Sequence, residues 1–210
     1  VGSSNELAFS AASAIVQNVG SKYNPFFVYG GVGLGKTHLI QAIGNEIKTH
    51  YQGKIKSKYV SSEKFTSDVV WALRNKRIDD IKRKYRDCDV LIIDDIQFIG
   101  KMERTQEELF HTFNTFFQNN KAISFSSDKH PNHIPGLEDR LRTRFGQGMI
   151  VDITDPDYES RLAILQRKIT ENNIHLNPDV ISYIADVVEG SIRELEGALI
   201  RVVAYSKLVG

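Results

Sequence analysis

The chain has 210 residues, 41% of them apolar and 25% charged, with a net charge of +1. That is enough for one sizeable globular domain plus a small appendage, and it excludes a globally basic nucleic-acid or membrane-surface binder, so any such contact must come from local clusters. The single cysteine, Cys88, excludes an intramolecular disulfide framework and fits a reducing, cytoplasmic setting; no apolar run approaches the roughly 20 residues that span a bilayer. The chain begins at Val1 without Met and shows no signal peptide, so its native start is unseen.

Short apolar runs alternate with helical spacing as far as residue 153. PFFVYG (25–30), KYVSS (58–62), CDVLIID (88–94), KAISFSS (121–127) and MIVDI (149–153) read as buried strands. Between them Leu39, Ile43 and Ile47, then Phe65, Val69 and Leu73, then Leu109, Phe113, Phe116 and Phe117 fall at helical intervals. Strands buried on both faces and separated by helices predict an α/β fold with a parallel sheet. After TDPD (154–157) only helices are expected: one with Leu162, Leu165 and Ile169, one with Val180, Ile184 and Val187, and one with Leu195, Leu199 and Val202. Ser191 and Glu194 have capping-box spacing at the start of the last. The expected domains are therefore a core over 1–154 and a small helical lid over 155–210.

GGVGLGKT (30–37) follows the first strand and opens a helix, the context that a phosphate loop requires. Its glycines let backbone N–H groups turn in on an oligophosphate, and the helix start aims its positive end at the same charge. Lys36 is expected on the β- and γ-phosphates and Thr37 on Mg²⁺. The acids of LIIDDIQF then acquire roles. Asp94, expected on a strand adjacent to the phosphate-loop strand, would hold the Mg²⁺ shell, and Asp95 would activate water. Asp128, closing the strand 121–127, is a further polar group for the γ-phosphate. In LEDRLRTRFGQG (137–148), Arg140 and Arg144 share a helix face. Arg144 suits either stabilisation of phosphate charge, in cis or in trans, or a helix-end cation favoured by the dipole. Arg193, in the first turn of the last helix, needs an anionic partner: a nucleotide phosphate, or Glu189 or Glu196.

With the phosphate loop, the Asp94–Asp95 pair, SSD (126–128), RTRF (142–145) and IRELEGAL (192–199) assembled, the chain resembles the AAA+ ATPase module of the DnaA family of bacterial replication initiators. VGSSNELAF, YNPFFVYGGVGLGKTHL, TQEELFHTFN and LEDRLRTRF extend the resemblance nearly end to end. It implies a P-loop AAA+ core with a five-stranded parallel sheet and a three-helix lid, binding ATP or ADP with Mg²⁺. It also implies Asn5 near the adenine; Gly31, Gly33, Gly35, Lys36, Thr37 and His38 around the phosphates; Asp94 and Asp95 as the Walker-B pair; Asp128 as sensor 1; and Arg193 as sensor 2. Arg144 matches the finger that reads ATP on the neighbouring subunit, with Arg140 as its interface companion.

The resemblance further implies that 61–87 is an initiator-specific helical hairpin favouring helical self-assembly. Its part 74–86 holds a cluster of lysines and arginines against Asp79 and Asp80, and suits a solvated helix as well as a DNA contact. Val70 and Trp71 lie off the apolar stripe. Lys101, Arg104 and Thr105, with Thr105–Glu108 at capping-box spacing, form an expected anion site for single-stranded DNA. The tip reads Lys-Met-Glu-Arg against the family's Lys-Glu-Arg, apparently one residue longer, and Gln147 stands where an aromatic is frequent. The family's duplex-reading and N-terminal partner-binding domains have no counterpart in these residues. The expected function is ATP-dependent helical oligomerisation and single-strand binding that opens an origin, ended by slow hydrolysis. Replication regulators and helicase-loading machinery are expected partners through the full-length protein. A helicase loader and a P-loop small-molecule kinase are the alternatives.

Overall fold

A computed structural model describes residues 2–209. The elements run α1 (Glu6–Gln17), β1 (Phe26–Gly30), α2 (Lys36–His50), β2 (Ser57–Ser61), α3 (Ser62–Arg74), α4 (Ile78–Arg86), β3 (Val90–Asp94), α5 (Glu103–Gln118), β4 (Ala122–Ser127), α6 (Asp139–Gly146), β5 (Met149–Ile153), α7 (Tyr158–Glu171), α8 (Pro178–Val187) and α9 (Ile192–Val209). Cys88 is buried but lies just before β3, where its Sγ donates to Tyr85 O, rather than in the strand as expected.

The five strands form one sheet in the order β2-β3-β4-β1-β5, with β1, β2, β3 and β4 paired in parallel. This corrects one expectation. The Asp94 strand, β3, is not adjacent to the phosphate-loop strand β1; β4 lies between them and pairs with both. The chain crosses over after β1, leaving that slot for the strand that carries Asp128. In a parallel sheet the functional edge lies at the carboxyl ends of the strands.

The chain divides into two compact units. Among the described residues, one comprises 7–30 and 36–152; the other comprises 2–6, 31–35 and 153–209. In the first, β3 is buried along its whole length, as a strand covered on both faces must be. Phe27, Phe125 and Phe145 pack with ring centroids 5.2 Å (27–145) and 4.6 Å (125–145) apart, and each such buried ring stabilises by about 1.5–3 kcal/mol. Some stripe residues differ from expectation. Ile40 rather than Leu39, and Ala72 rather than Leu73, complete the buried faces of α2 and α3, and Phe117 is exposed. A strict four-residue step drifts around a 3.6-residue helix, so a member at one end of a stripe leaves the core.

The hairpin α3–α4 is tied at Asp68. Its carboxylate accepts from Lys84, Tyr85 and Lys64. Burial alone would raise the Asp68 pKa, but these donors outweigh it and hold the group at about 2. Burial first, and the bond to the Asp68 carboxylate second, push the Tyr85 hydroxyl up.

In the second unit α7, α8 and α9 bury Leu165, Ile184, Ala185, Leu195, Ala198 and Leu199, while Val187 is exposed. Asp157 caps α7, accepting from Ser160 N (2.8 Å), and also accepts from Ser3 Oγ at 2.8 Å. These bonds hold its carboxyl at about 2 and fasten the N-terminal segment to the start of α7. Ser191 Oγ accepts from Glu194 N at 3.3 Å and donates to its carboxylate at 3.1 Å, so the α9 start is capped.

Candidate functional site

The sheet register gathers the acids on one edge. Ser61 on β2 stands opposite Asp94, and Tyr29 on β1 opposite Ser127. One residue further on, Gly30 opens the glycine loop beside Asp128. Asp94 is 3% exposed. Its Oδ1 accepts from Ser126 Oγ and its Oδ2 from Tyr59 Oη at 2.7 Å. Burial first, and the bond to Asp94 second, push the Tyr59 hydroxyl up to about 12, so it stays a donor at neutral pH.

Asp95 leaves the strand in the left-handed region, with φ of 54°. Three neighbours hold it there. Its N–H donates to Ser126 Oγ (2.9 Å), its carbonyl accepts from Ser62 Oγ (2.6 Å), and its carboxylate accepts from Gln97 Nε2 (3.2 Å). Gln97 also accepts from the Asp128 N–H at 3.3 Å, linking both acids. Asp128 Oδ1 is buried without a hydrogen-bond partner among the described residues, a cost that a bound donor would remove. Tyr59, Ser126 and Gln97 were not singled out from the sequence. Ser126 and Gln97 sit inside the quoted SSD and LIIDDIQF runs, but their roles need the strand order; Tyr59 offers no local signal.

Lys36, the first residue of α2, is buried, and its Nζ donates to Gly30 O at 2.7 Å across the base of the loop. Thr37 is half-buried and His38 exposed. In the other unit Gly33 has φ of +81°, and a Cβ there would lie 2.8 Å from Ser191 Oγ and 3.1 Å from Arg193 Cβ. Only glycine fits, and the loop therefore lies against the first turn of α9. Arg193 is exposed and makes no ion pair among the described residues; Glu196, one expected local partner, pairs with Lys168 instead. Asn5 accepts from Gly2 N at 2.9 Å in the turn before α1.

Hard oxygens, one carboxylate and one hydroxyl, suit Mg²⁺, which keeps several waters and needs few protein ligands. Asp94 and Thr37 are such a donor set. No group of three or more His, Cys, Asp or Glu able to hold a metal occurs among the described residues.

Arg140 and Arg144 lie on α6 against α5. Arg140 pairs with Glu138 and lies over the Phe110 ring at 5.0 Å. Arg144 lies 5.7 Å from the Phe110 ring and 5.9 Å from both the Phe113 and Phe117 rings, and donates to Gln147 Oε1 at 3.1 Å.

The tip requires a correction. The helix start is Glu103, with Met102 at the N-cap and no side-chain cap, so Thr105 and Glu108 do not form the expected capping box. Thr105 is 1% exposed, on the inner face of α5, and its side chain is not on a DNA-facing surface. Glu108 is also buried and pairs with Arg86. Lys101 and Arg104 remain exposed and line a cleft of about 640 Å³ together with Gln106, Glu107, Glu138 and Arg140. In the hairpin Val70 is half-buried and Trp71 is 50% exposed beneath Arg77. Much of the basic segment is internally paired: Arg77 and Arg83 with Asp80, Lys82 with Asp79, and Lys84 with Asp68.

Comparison with known proteins agrees with this geometry. Residues 1–152 match the family model described as the bacterial DnaA ATPase domain. A chromosomal replication initiator protein DnaA of Thermoanaerobacter sp. (strain X514) is 53% identical over 208 residues, covering 99% of this chain and 47% of the relative. The solved structure of domain III of the Thermotoga maritima replication initiation protein DnaA is 37% identical with a TM-score of 0.93, covering 100% of this chain and 87% of that one. A replication initiator DnaA bound to AMPPCP and single-stranded DNA is 39% identical with a TM-score of 0.88, covering 96% of this chain and 62% of that one. The chain spans about half the length of the curated relatives it matches. Phosphate loop, paired acids and sheet order thus converge on one assignment: the chain belongs to the bacterial DnaA ATPase domain family.

Proposed function

We propose that this chain is the ATP-binding and self-assembly module of a chromosomal replication initiator, and that ATP on one protomer governs association with the next and the grip on single-stranded DNA. The observation that carries the reading is the parallel register that puts Gly30, Lys36, Asp94, Asp95 and Asp128 on one sheet edge. The solved relative that holds AMPPCP and single-stranded DNA supports it.

Lys36 and the N–H groups of Gly31, Gly33 and Gly35 would hold the phosphates, with His38 beside them, Asn5 near the base and Arg193 on the terminal phosphate. Thr37 and Asp94 would hold Mg²⁺, which would supply positive charge to offset that of the phosphates. Asp95 orients the attacking water; its fixed backbone and its bond to Gln97 aim the carboxylate, and Asp128 completes the polar lining. Arg144 of a second protomer, with Arg140 beside it, reads the terminal phosphate in trans. Lys101 and Arg104 contact strand phosphates, and Val70 offers an apolar contact. Slow hydrolysis acts as a switch: loss of the shared phosphate ends association.

Origin opening, contacts with replication regulators and helicase-loading machinery, and action in the cytoplasm are part of the same proposal. Among the described residues no helix is long and apolar enough to cross a membrane. Family membership is that of an initiator, not of a helicase loader or a small-molecule kinase. The test is sedimentation with ATP, ADP or neither, with and without a thymine oligonucleotide. Association and strand binding are expected with ATP only. Equal association with ADP would remove the switch, and strand binding without nucleotide would uncouple the tip from assembly.

A further inference from the structure

Arg144 is held by aromatic rings rather than by a carboxylate. Arg104, Arg140 and Arg142, on the neighbouring segments, each pair with a carboxylate. Arg144 makes no ion pair among the described residues; three rings of α5 surround its guanidinium, and Gln147 takes a single hydrogen bond. Phe110, Phe113 and Phe117 fall at i, i+3 and i+7, which places them in one stripe on the helix. Phe113 is core, and Phe117 stacks on it with centroids 6.4 Å apart. Phe117 is nonetheless 52% exposed, and Phe110 is half-buried. Phe110 packs against the core, but core packing does not call for a ring at the exposed position 117.

We infer that Phe110 and Phe117 are positioning residues for Arg144, holding its guanidinium in place before the phosphate of a neighbouring protomer arrives. The inference rests on the trans role proposed for Arg144. Its physical basis is a division of labour within the guanidinium. A cation–π contact draws on the charge and uses none of the N–H donors. A carboxylate would occupy those donors and would have to be displaced by the phosphate. Aromatic rings restrict a long, rotamer-rich side chain while leaving its donors available. Part of the entropy cost of ordering it is thus met before association. Phe110 serves both α6 arginines, and Glu138 neutralises Arg140 beside it, which limits repulsion between the two cations.

The test uses Phe110→Leu and Phe117→Leu, which keep apolar bulk and remove the ring, against Phe110→Tyr and Phe117→Tyr, which keep it. Each leucine variant should weaken Mg-ATP-dependent association about two- to fivefold in sedimentation. Protomer affinity for ATP should be unchanged, and the tyrosine variants should behave like the parent. The Arg144 Nε–Hε resonance of the separate protomer should become more mobile in the leucine variants only. Leucine variants that associate as tightly as the parent, or tyrosine variants that fall with them, would overturn the inference. An Arg144→Ala arm separates it from the reading beneath. If that variant associates normally, the trans role and the positioning role of the rings both fail. If it fails to associate while Phe117→Leu is unaffected, the positioning role alone fails.

Discussion

At the sheet edge Asp94 is nearly inaccessible and both of its oxygens accept hydrogen bonds, from Ser126 and Tyr59. At the start of α5, Lys101 and Arg104 stand in solvent, and the Arg104–Glu107 ion pair joins side chains 78% and 44% exposed. The first arrangement is built before any ligand arrives: the acids cannot relax away from a cation without breaking buried hydrogen bonds. The second is loosely committed, since an exposed pair of this kind is worth about 0–1 kcal/mol and exchanges readily for a phosphate. A preformed acidic edge and a redirectable basic surface suit the proposed division between nucleotide binding and strand binding.

The contrast breaks most readily at Lys36. Lys36→Ala should cost about 2–5 kcal/mol of nucleotide affinity, because it strips a buried cation from the phosphates; calorimetric titration with ATP measures it, and a change below threefold would show that the loop does not hold phosphate. Ser126→Ala should cost about 1–3 kcal/mol of stability, since it orphans the Asp95 N–H and one oxygen of Asp94. Chemical denaturation would report that loss, and a neutral result would mean the acids are not held as described.

Asp68 gives a pH signature. Its folded pKa of about 2 lies below its ordinary value of 3.8, so its contribution is complete above the ordinary value and is lost as pH falls through about 2. Asp68→Asn should lower stability near neutral pH by about 1–2 kcal/mol and flatten the acid limb of a melting-temperature profile. A parallel profile would remove the network from the stability of the hairpin. The smallest effects belong to the tip. Arg104→Ala should reduce the salt slope of single-strand binding by about one and spare folding. Thr105→Ala should do the reverse, lowering the melting temperature without changing the slope, because its side chain is in the core.

Much of this was legible in the chain. The five runs mark the five strands, and the inner strands β1, β3 and β4 are buried as expected, whereas the edge strands β2 and β5 are only partly so; the glycine loop marks its own helix start. Strand order was not legible: nothing local shows that β4 separates β3 from β1, and the roles of Ser126 and Gln97 depend on it. Thr105 misled because a Thr three residues before a Glu has the same spacing at a helix start as inside the first turn, and only the backbone decides. The basic run 74–86 looked available in sequence because Asp68 and Glu108, which take Lys84 and Arg86, lie outside it.

The claim on which the rest depends is that ATP held by one protomer is sensed by Arg144 of another. Mixing two defective chains tests it directly: Lys36→Ala supplies an arginine but no nucleotide site, and Arg144→Ala supplies a site but no arginine. With Mg-ATP each alone should remain monomeric in sedimentation, while the mixture should form heterodimers and stop there, because such a pair completes one interface and no second. Failure of the mixture to associate where the parent does, or assembly of Arg144→Ala alone, would contradict the claim.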